Sequence, residues 1–125
     1  MSKFFISIIV GVMFIQRPTY QIIKAERDAK GYTTTLLVFT KNESYIKSIN
    51  AELVKKYQRP QLPSFQIFYF DNLTVAKNYE KVLFNKNISD DAVERMSDHV
   101  IGKYVYSRYL NQDGQLYTGK NSDLN

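Results

Sequence analysis

One short segment, residues 65–70, constrains the fold more than any other part of the sequence. Its side chains are apolar at both alternate sets of positions, except for Gln66. A strand made from such residues has two apolar faces, and both must be covered by other parts of the protein. The segment therefore predicts a strand in the middle of a β-sheet.

A helix is predicted just before this strand. Apolar residues recur at spacings of three and four, at Ile46, Ile49, Leu53 and Tyr57. Thr40 and Glu43 have the spacing of a capping box at the helix start, and Pro60 and Pro63 follow its end. Because residues 32–39 favour a strand, the order strand, helix, strand predicts a parallel pair joined across the helix.

The rest of the chain completes one α+β domain. The other predicted elements are a strand at 19–27, a second helix at 73–84 capped by Asn72, a third helix at 89–98 capped by Ser89, a strand at 101–110, a hairpin turn at 111–114 and a strand at 115–118. The order ββαβααββ predicts a two-layer sandwich, a mixed β-sheet with its helices on one face. The domain covers residues 19–118, and residues 119–125 are predicted to be a flexible tail.

The N-terminal segment has the pattern of an export sequence. Lys3 precedes an uncharged apolar stretch at 4–15, which Arg17 follows. A helix of that length spans about 18 Å, which is short of the roughly 30 Å of a bilayer core. No pair of small residues marks a cleavage site. Residues 1–18 are therefore predicted to be a signal peptide or a membrane anchor, with the domain secreted or tethered outside the cytoplasm. The alternative is a buried core strand.

Composition excludes several kinds of chemistry. The chain has no cysteine, which rules out disulfides, thiolate metal sites, a cysteine nucleophile and the lipidated cysteine of a lipoprotein. The net charge of +5 is modest and is only weak support for an anionic partner. The partners compatible with this composition are a protein or an anionic surface, with membrane contact only through the N-terminal segment.

No catalytic or metal-binding pattern stands out. His99 follows Ser97 and Asp98, but neighbours along a backbone do not form the line of hydrogen bonds that a triad needs. Asp90, Glu94 and Asp98 would lie on one helical face and suggest a hard cation such as calcium. A regular helix spreads them over about 12 Å, so we interpret them as a solvated acidic face. The sequence predicts no cofactor, no metal and no catalytic residue.

Two aromatic segments suggest contact with nucleic acid. Residues 68–73 look like the shorter aromatic motif of RNA-recognition domains, and residues 102–109 loosely resemble the longer one. Such a domain requires a strand between the two motifs, where residues 89–98 favour a helix instead. Nucleic-acid binding through stacked rings is therefore a secondary hypothesis.

The layout of the chain resembles that of small bacterial exported proteins of uncharacterised function. The shared features are a short leader, a β-hairpin, a helix, an aromatic central strand and a tyrosine-rich closing hairpin. This resemblance implies an exported α+β domain and no particular activity. The chain differs from the membrane-anchored members because it lacks the cysteine that carries their lipid.

The leading hypothesis is a non-enzymatic binding or interaction module. Its predicted binding residues are Tyr104, Tyr106 and Arg108 on the closing hairpin, because tyrosine and arginine are common anchors of protein interfaces. A competing interpretation of these tyrosines is that they pack beneath the helices. The whole chain is also compatible with a small hydrolase that uses carboxylates from separate loops, and with an inhibitor or immunity protein.

Overall fold

The computed structural model describes residues 19–27, 33–59, 63–79, 88–109 and 111–124. In chain order the elements are β1 (Gln21–Arg27), β2 (Thr33–Phe39), a 3₁₀ turn (Glu43–Tyr45), α1 (Ile46–Tyr57), β3 (Ser64–Phe70), α2 (Leu73–Asn78), α3 (Asp90–Ser97), β4 (Val100–Ser107), β5 (Asn111–Thr118) and a second 3₁₀ turn (Ser122–Leu124). The predicted α+β class and the order ββαβααββ are confirmed. The predicted leader at 1–18 and the end of the predicted second helix, at 80–84, lie outside the described residues.

The five strands form one mixed sheet in the order β1-β2-β3-β4-β5. β2 and β3 pair in parallel, with Leu36 opposite Ile67 and Leu37 opposite Phe68. The other neighbours in the sheet are antiparallel. β3 is therefore the central strand, as its apolar sequence predicts, and its parallel partner is reached across α1.

One face of the sheet, here called the first face, is covered by α1. Phe65, Ile67 and Tyr69 of β3 point to this face and belong to the same core cluster as Ile49 and Leu53 of α1. All five side chains are fully buried. The stripe at spacings of three and four thus packs on the sheet, as the helix pattern predicts.

The opposite, second face carries its own core. Phe68 and Phe70 of β3 pack there with Ala76 of α2 and with Tyr79, and Met96 of α3 lies against them. The helices are thus divided between the two faces, where the sequence predicts all of them on one. The physical reason is the central strand itself: it is apolar on both sides, so each side needs a cover.

The helix starts are set by short polar side chains. Asn72 accepts a hydrogen bond from the Val75 amide, and Ser89 accepts one from the Ala92 amide, so both predicted caps are confirmed. The capping box at Thr40 is wrong. Thr40 is buried and its hydroxyl donates to the Thr19 carbonyl, while the Asn42 side chain caps the 3₁₀ turn that leads into α1.

The turn of the closing hairpin is not where the sequence predicts it. Residues 111–114 are not the turn but the first half of β5, and residues 112–114 stand opposite the single residue Tyr106 of β4. This extra length is a bulge, and Gly114 within it has a φ of 72°. A Cβ at Gly114 would lie 2.0 Å from the Tyr104 hydroxyl, so glycine provides both the backbone angle and the space.

The described end of the chain, residues 119–124, packs against the domain where the sequence predicts a flexible tail. The Gly119 and Asn121 amides donate to carbonyls of β4. The Asp123 carboxylate accepts hydrogen bonds of 2.5 Å from both the Tyr79 and the Ser97 hydroxyls. Burial, followed by these contacts with Asp123, raises the pKa of Tyr79. This segment, here called the C-terminal strap, is thereby attached to both α3 and the second-face core.

Candidate functional site

Tyr104, the first of the predicted binding residues, belongs to the core. Its side chain is only 5% exposed, and its ring packs edge-on against Phe65 with 6.2 Å between the centroids. Its hydroxyl donates to Oε1 of Gln58 at 2.7 Å. Burial raises the pKa of Tyr104, which opposes ionisation of the hydroxyl. At this position the structure favours the interpretation in which tyrosine packs beneath a helix.

Tyr106 and Arg108, the other two predicted residues, are half-buried. Tyr106 packs against the first-face core, on the same side of β4 as Tyr104. The backbone amide of Arg108 donates to the Pro63 carbonyl at 2.9 Å. The three residues therefore do not form one exposed surface, because the first of them is under α1.

A different surface lies further along the same hairpin, at the outer edge of β5. The strand order places β5 at one end of the sheet, and within the described strands none pairs with its outer side. The Gly119 amide donates to Ile101. Because an antiparallel ladder alternates, the peptide groups of Leu116 and Thr118 then point away from β4. Since no described strand pairs with them, these outward N–H and C=O groups can form hydrogen bonds to a partner.

A groove of about 740 Å³ runs beside this edge. Its lining residues come from β5 and from the start of α1 and are Asn42, Glu43, Ser44, Lys47, Leu116 and Thr118. Leu116 is half-buried and packs on the first-face core, whereas Glu43 and Lys47 are exposed. A Cβ on Gly119 would lie 3.8 Å from Oε1 of Glu43, so this carboxylate is at the C-terminal end of β5. The groove is thus lined mainly by polar side chains, with one apolar side chain, Leu116, and one charge of each sign.

The opposite edge of the sheet, β1, is less suited to accept a partner. Its register shifts between Ile22 and Lys24, which marks a bulge. Lys24 and Glu26 form an ion pair at 2.8 Å, and Arg27 ends the strand. Bulges and charged side chains are devices that block strand pairing at an edge. β5 has its own bulge at residues 112–114, which includes the exposed Asp113, but beyond that bulge residues 115–118 carry no charge.

Two of the other clefts are lined by histidine or acidic side chains. Nδ1 of His99 lies 2.9 Å from Oδ1 of Asp71, and the histidine borders a shallow cleft with Arg95. Asp90 and Asp98 line another, together with Glu94. Among the described residues, however, no three histidine or acidic side chains are close enough to hold a metal ion.

Four of the six rings in the aromatic segments that resemble RNA-binding motifs are interior, whereas Tyr106 is half-buried and Tyr109 is 77% exposed. Phe68 and Tyr104 are 5% exposed, and Tyr69 and Phe70 are fully buried. Base stacking needs rings that are open to solvent on the sheet surface. These rings instead contact other protein side chains on both faces of the sheet. These four rings are therefore not accessible to nucleic-acid bases in this fold.

The comparisons with known proteins add no assignment. No family model, no curated protein and no solved structure matches the chain. None of the helices in the described ranges has both the length and the apolarity to cross a membrane. The features that bear on function are therefore the geometry of the groove and the sequence of the predicted leader.

The groove is not evident from the sequence because its two walls are far apart along the chain. Glu43 and Lys47 come before and within α1, and Leu116 and Thr118 come from the last strand. One indication is nevertheless present in the sequence. The strand at 115–118 lacks charges, in contrast to residues 24–27 of the first strand, and that difference identifies the less protected edge.

Proposed function

We propose that this chain is an exported, non-enzymatic interaction module that binds a partner polypeptide in the groove between β5 and the start of α1. The observation that carries this proposal is the coincidence of two features. The outward peptide groups of Leu116 and Thr118 lie beside a groove of about 740 Å³, to which Leu116 also contributes an apolar side chain. Unpaired edge groups and a neighbouring groove together are a common means of protein recognition.

The chemistry of the groove supports binding. Glu43 and Lys47 are both exposed, so each can form an ion pair with a partner at the rim while Leu116 supplies apolar contact. Interfaces commonly combine an apolar centre with a polar rim in this way. Exposed charges contribute mainly to the rate and specificity of association, so a partner of mixed charge is expected.

The leader supports a location outside the cytoplasm. Lys3 and the uncharged stretch at 4–15 have the order of a secretory signal, and the same stretch would serve as a tether if it is retained. The layout of the whole chain is also similar to that of small bacterial exported proteins. In this proposal the domain meets its partner in the extracytoplasmic space, and only the N-terminal segment contacts the membrane.

Capture with matched variants tests the binding surface. Full-length protein and its Lys47→Glu and Lys55→Glu variants are immobilised, and proteins retained from the source cells are quantified by mass spectrometry. Both lysines are exposed on α1, but only Lys47 lines the groove. Partners lost with Lys47→Glu and retained with Lys55→Glu support the proposal. Partners that are insensitive to Lys47→Glu, in a variant whose circular dichroism is unchanged, contradict it.

Fractionation with sequencing of the mature N-terminus tests the location. An extracytoplasmic chain that begins near residues 18–21, or one retained in the membrane with residues 4–15 intact, supports export. A cytosolic chain that still begins at Met1 contradicts it and favours the interpretation in which residues 4–15 form a core strand.

A further inference from the structure

We propose that the partner binds as an extended strand that pairs with the outer edge of β5 and places alternate side chains in the groove. This inference deepens the proposed function, on which it rests, by naming the conformation and chemistry of the partner. The surface involved is the outer edge of β5 over residues 115–118 with the adjoining start of α1.

The backbone of β5 favours a partner in extended conformation. The peptide groups of Leu116 and Thr118 point outward, two residues apart, which is the repeat of an antiparallel or parallel ladder. A single side chain of a folded partner would satisfy one such group. A second extended chain satisfies all of them in order, because its own N–H and C=O groups recur with the same spacing.

The groove favours particular side chains on that partner. Side chains alternate between the faces of a sheet, so every second residue of an added strand would point to the first face, where the groove lies. The residue beside Leu116 would be apolar. Glu43 is at the C-terminal end of β5 near Gly119, and Lys47 is in the first turn of α1. The favoured ligand is therefore an extended segment with one apolar residue and charged residues of both signs among the positions that face the groove.

The size of the uncharged edge selects a peptide over a second copy of the chain. Four strand residues span only about 14 Å. A stable dimer buries roughly 1,600 Å² in total, which a junction of that length does not provide without further contact surface. Strand addition by a peptide needs less area because the groove contributes side-chain contacts as well. The bulged and charged edge of β1 is not an equivalent second site.

This inference is tested on the full chain by selecting from a phage library of random linear peptides. Each peptide is about twelve residues long, so that it exceeds the roughly 14 Å edge. We expect selected peptides to share an apolar residue accompanied by charged residues of both signs. N-methylation at alternate positions should weaken binding about tenfold per site, since each removes one backbone hydrogen bond, while methylation at the positions between should not. Hydrogen exchange should show peptide-dependent protection of the Leu116 and Thr118 amides. Lys47→Glu should weaken binding and Lys55→Glu should not.

Several outcomes would overturn strand addition. These are a selection that yields no binding peptide, equal sensitivity to N-methylation at all positions, or protection of the β5 amides without peptide in a chain whose light-scattering mass is that of a dimer. The proposed function has its own test. If folded partners are still lost with Lys47→Glu while no linear peptide binds, the groove is an interface for folded surfaces and only the strand mode is wrong.

Discussion

Gly114 and Tyr104 share a small volume in the closing hairpin. Gly114 has a φ of 72°, and its missing Cβ leaves the space that the Tyr104 hydroxyl occupies on its way to Gln58. The sequence predicts Gly114 as a turn residue because asparagine, aspartate and glycine are common in turns. Its actual role depends on a contact with a side chain from the neighbouring strand. That contact cannot be predicted from the residues next to Gly114 in the sequence.

Gly114→Ala is expected to destabilise the protein by about 2–4 kcal/mol. The new methyl group meets Tyr104 and the backbone angle is unfavourable for alanine, and each effect costs about 1–2 kcal/mol or more. Urea unfolding followed by circular dichroism measures the loss. Tyr104→Phe removes the nearest atom, so the Gly114→Ala change should cost less in a Tyr104→Phe background. Equal cost in both backgrounds would contradict the proposed clash.

At the scale of the elements, features set by local atoms are predictable and features set by distant contacts are not. Asn72 and Ser89 are recognisable as caps because a cap depends on atoms within three residues of the helix start. Thr40 has a similar local pattern, but its hydroxyl donates to the Thr19 carbonyl across the first hairpin. Asn42, which is closer to the turn, caps it instead.

The C-terminal strap is a stronger example of a feature that depends on distant contacts and is not predictable from local sequence. Asp123 meets Tyr79 from 44 residues away and Ser97 from 26 residues away. A short polar segment at the end of a chain has no periodicity, so its sequence predicts flexibility. Most of its described contacts are with partners that the fold brings to it.

Asp123→Asn is expected to loosen the strap and lower the free energy of unfolding by about 2 kcal/mol. Two hydrogen bonds to a charged acceptor are replaced by weaker neutral ones, or by an unfavourable amide donor. Urea unfolding measures the stability, and hydrogen exchange of the Gly119 and Asn121 amides reports on the strap. Asp113→Asn is the control, because Asp113 is exposed on β5. A loss of similar size in both variants would contradict the role given to Asp123.

At the scale of the whole molecule, each face of the sheet contains a buried tyrosine. Tyr69 on the first face donates to Asn50 at 2.7 Å, and Tyr79 on the second face donates to Asp123. Burial is the largest cause that raises the pKa of each from its ordinary value of 10.0. The folded protein therefore keeps both protons at a pH where the unfolded chain releases them.

Below about pH 10, the ionisation of these tyrosines is expected to have no effect on the free energy of unfolding. Above that pH, the free energy of unfolding is expected to fall as the pH rises. Since the unfolded state then binds fewer protons, each tyrosine contributes a slope of about 1.4 kcal/mol per pH unit. Urea unfolding between about pH 8 and pH 11.5, which brackets the ordinary tyrosine pKa, measures this. Tyr69→Phe should reduce the slope, whereas Tyr109→Phe, at a side chain 77% exposed, should not. Equal slopes in the wild type and Tyr69→Phe would contradict the prediction.

More of the overall fold than of the candidate site is predictable from the sequence. The apolar sequence of residues 65–70 identifies the central strand, and the strand-helix-strand order identifies its parallel partner. The same segment also indicates that both faces are covered, which is incompatible with helices on one face only. The groove is not predictable, because it depends on how far β5 lies from the start of α1, and no sequence pattern specifies that distance.

The strands occupy the sheet in the same order in which they occur along the chain. A polypeptide that emerges from a ribosome or a translocation channel with its N-terminus first can therefore add each strand to a neighbour that is already present. No early strand has to wait for a distant late one. The last strand to arrive is β5, followed by the strap that anchors at Tyr79. The edge proposed for binding thus forms after the four strands before it, so partner recognition would begin only once the rest of the sheet is in place.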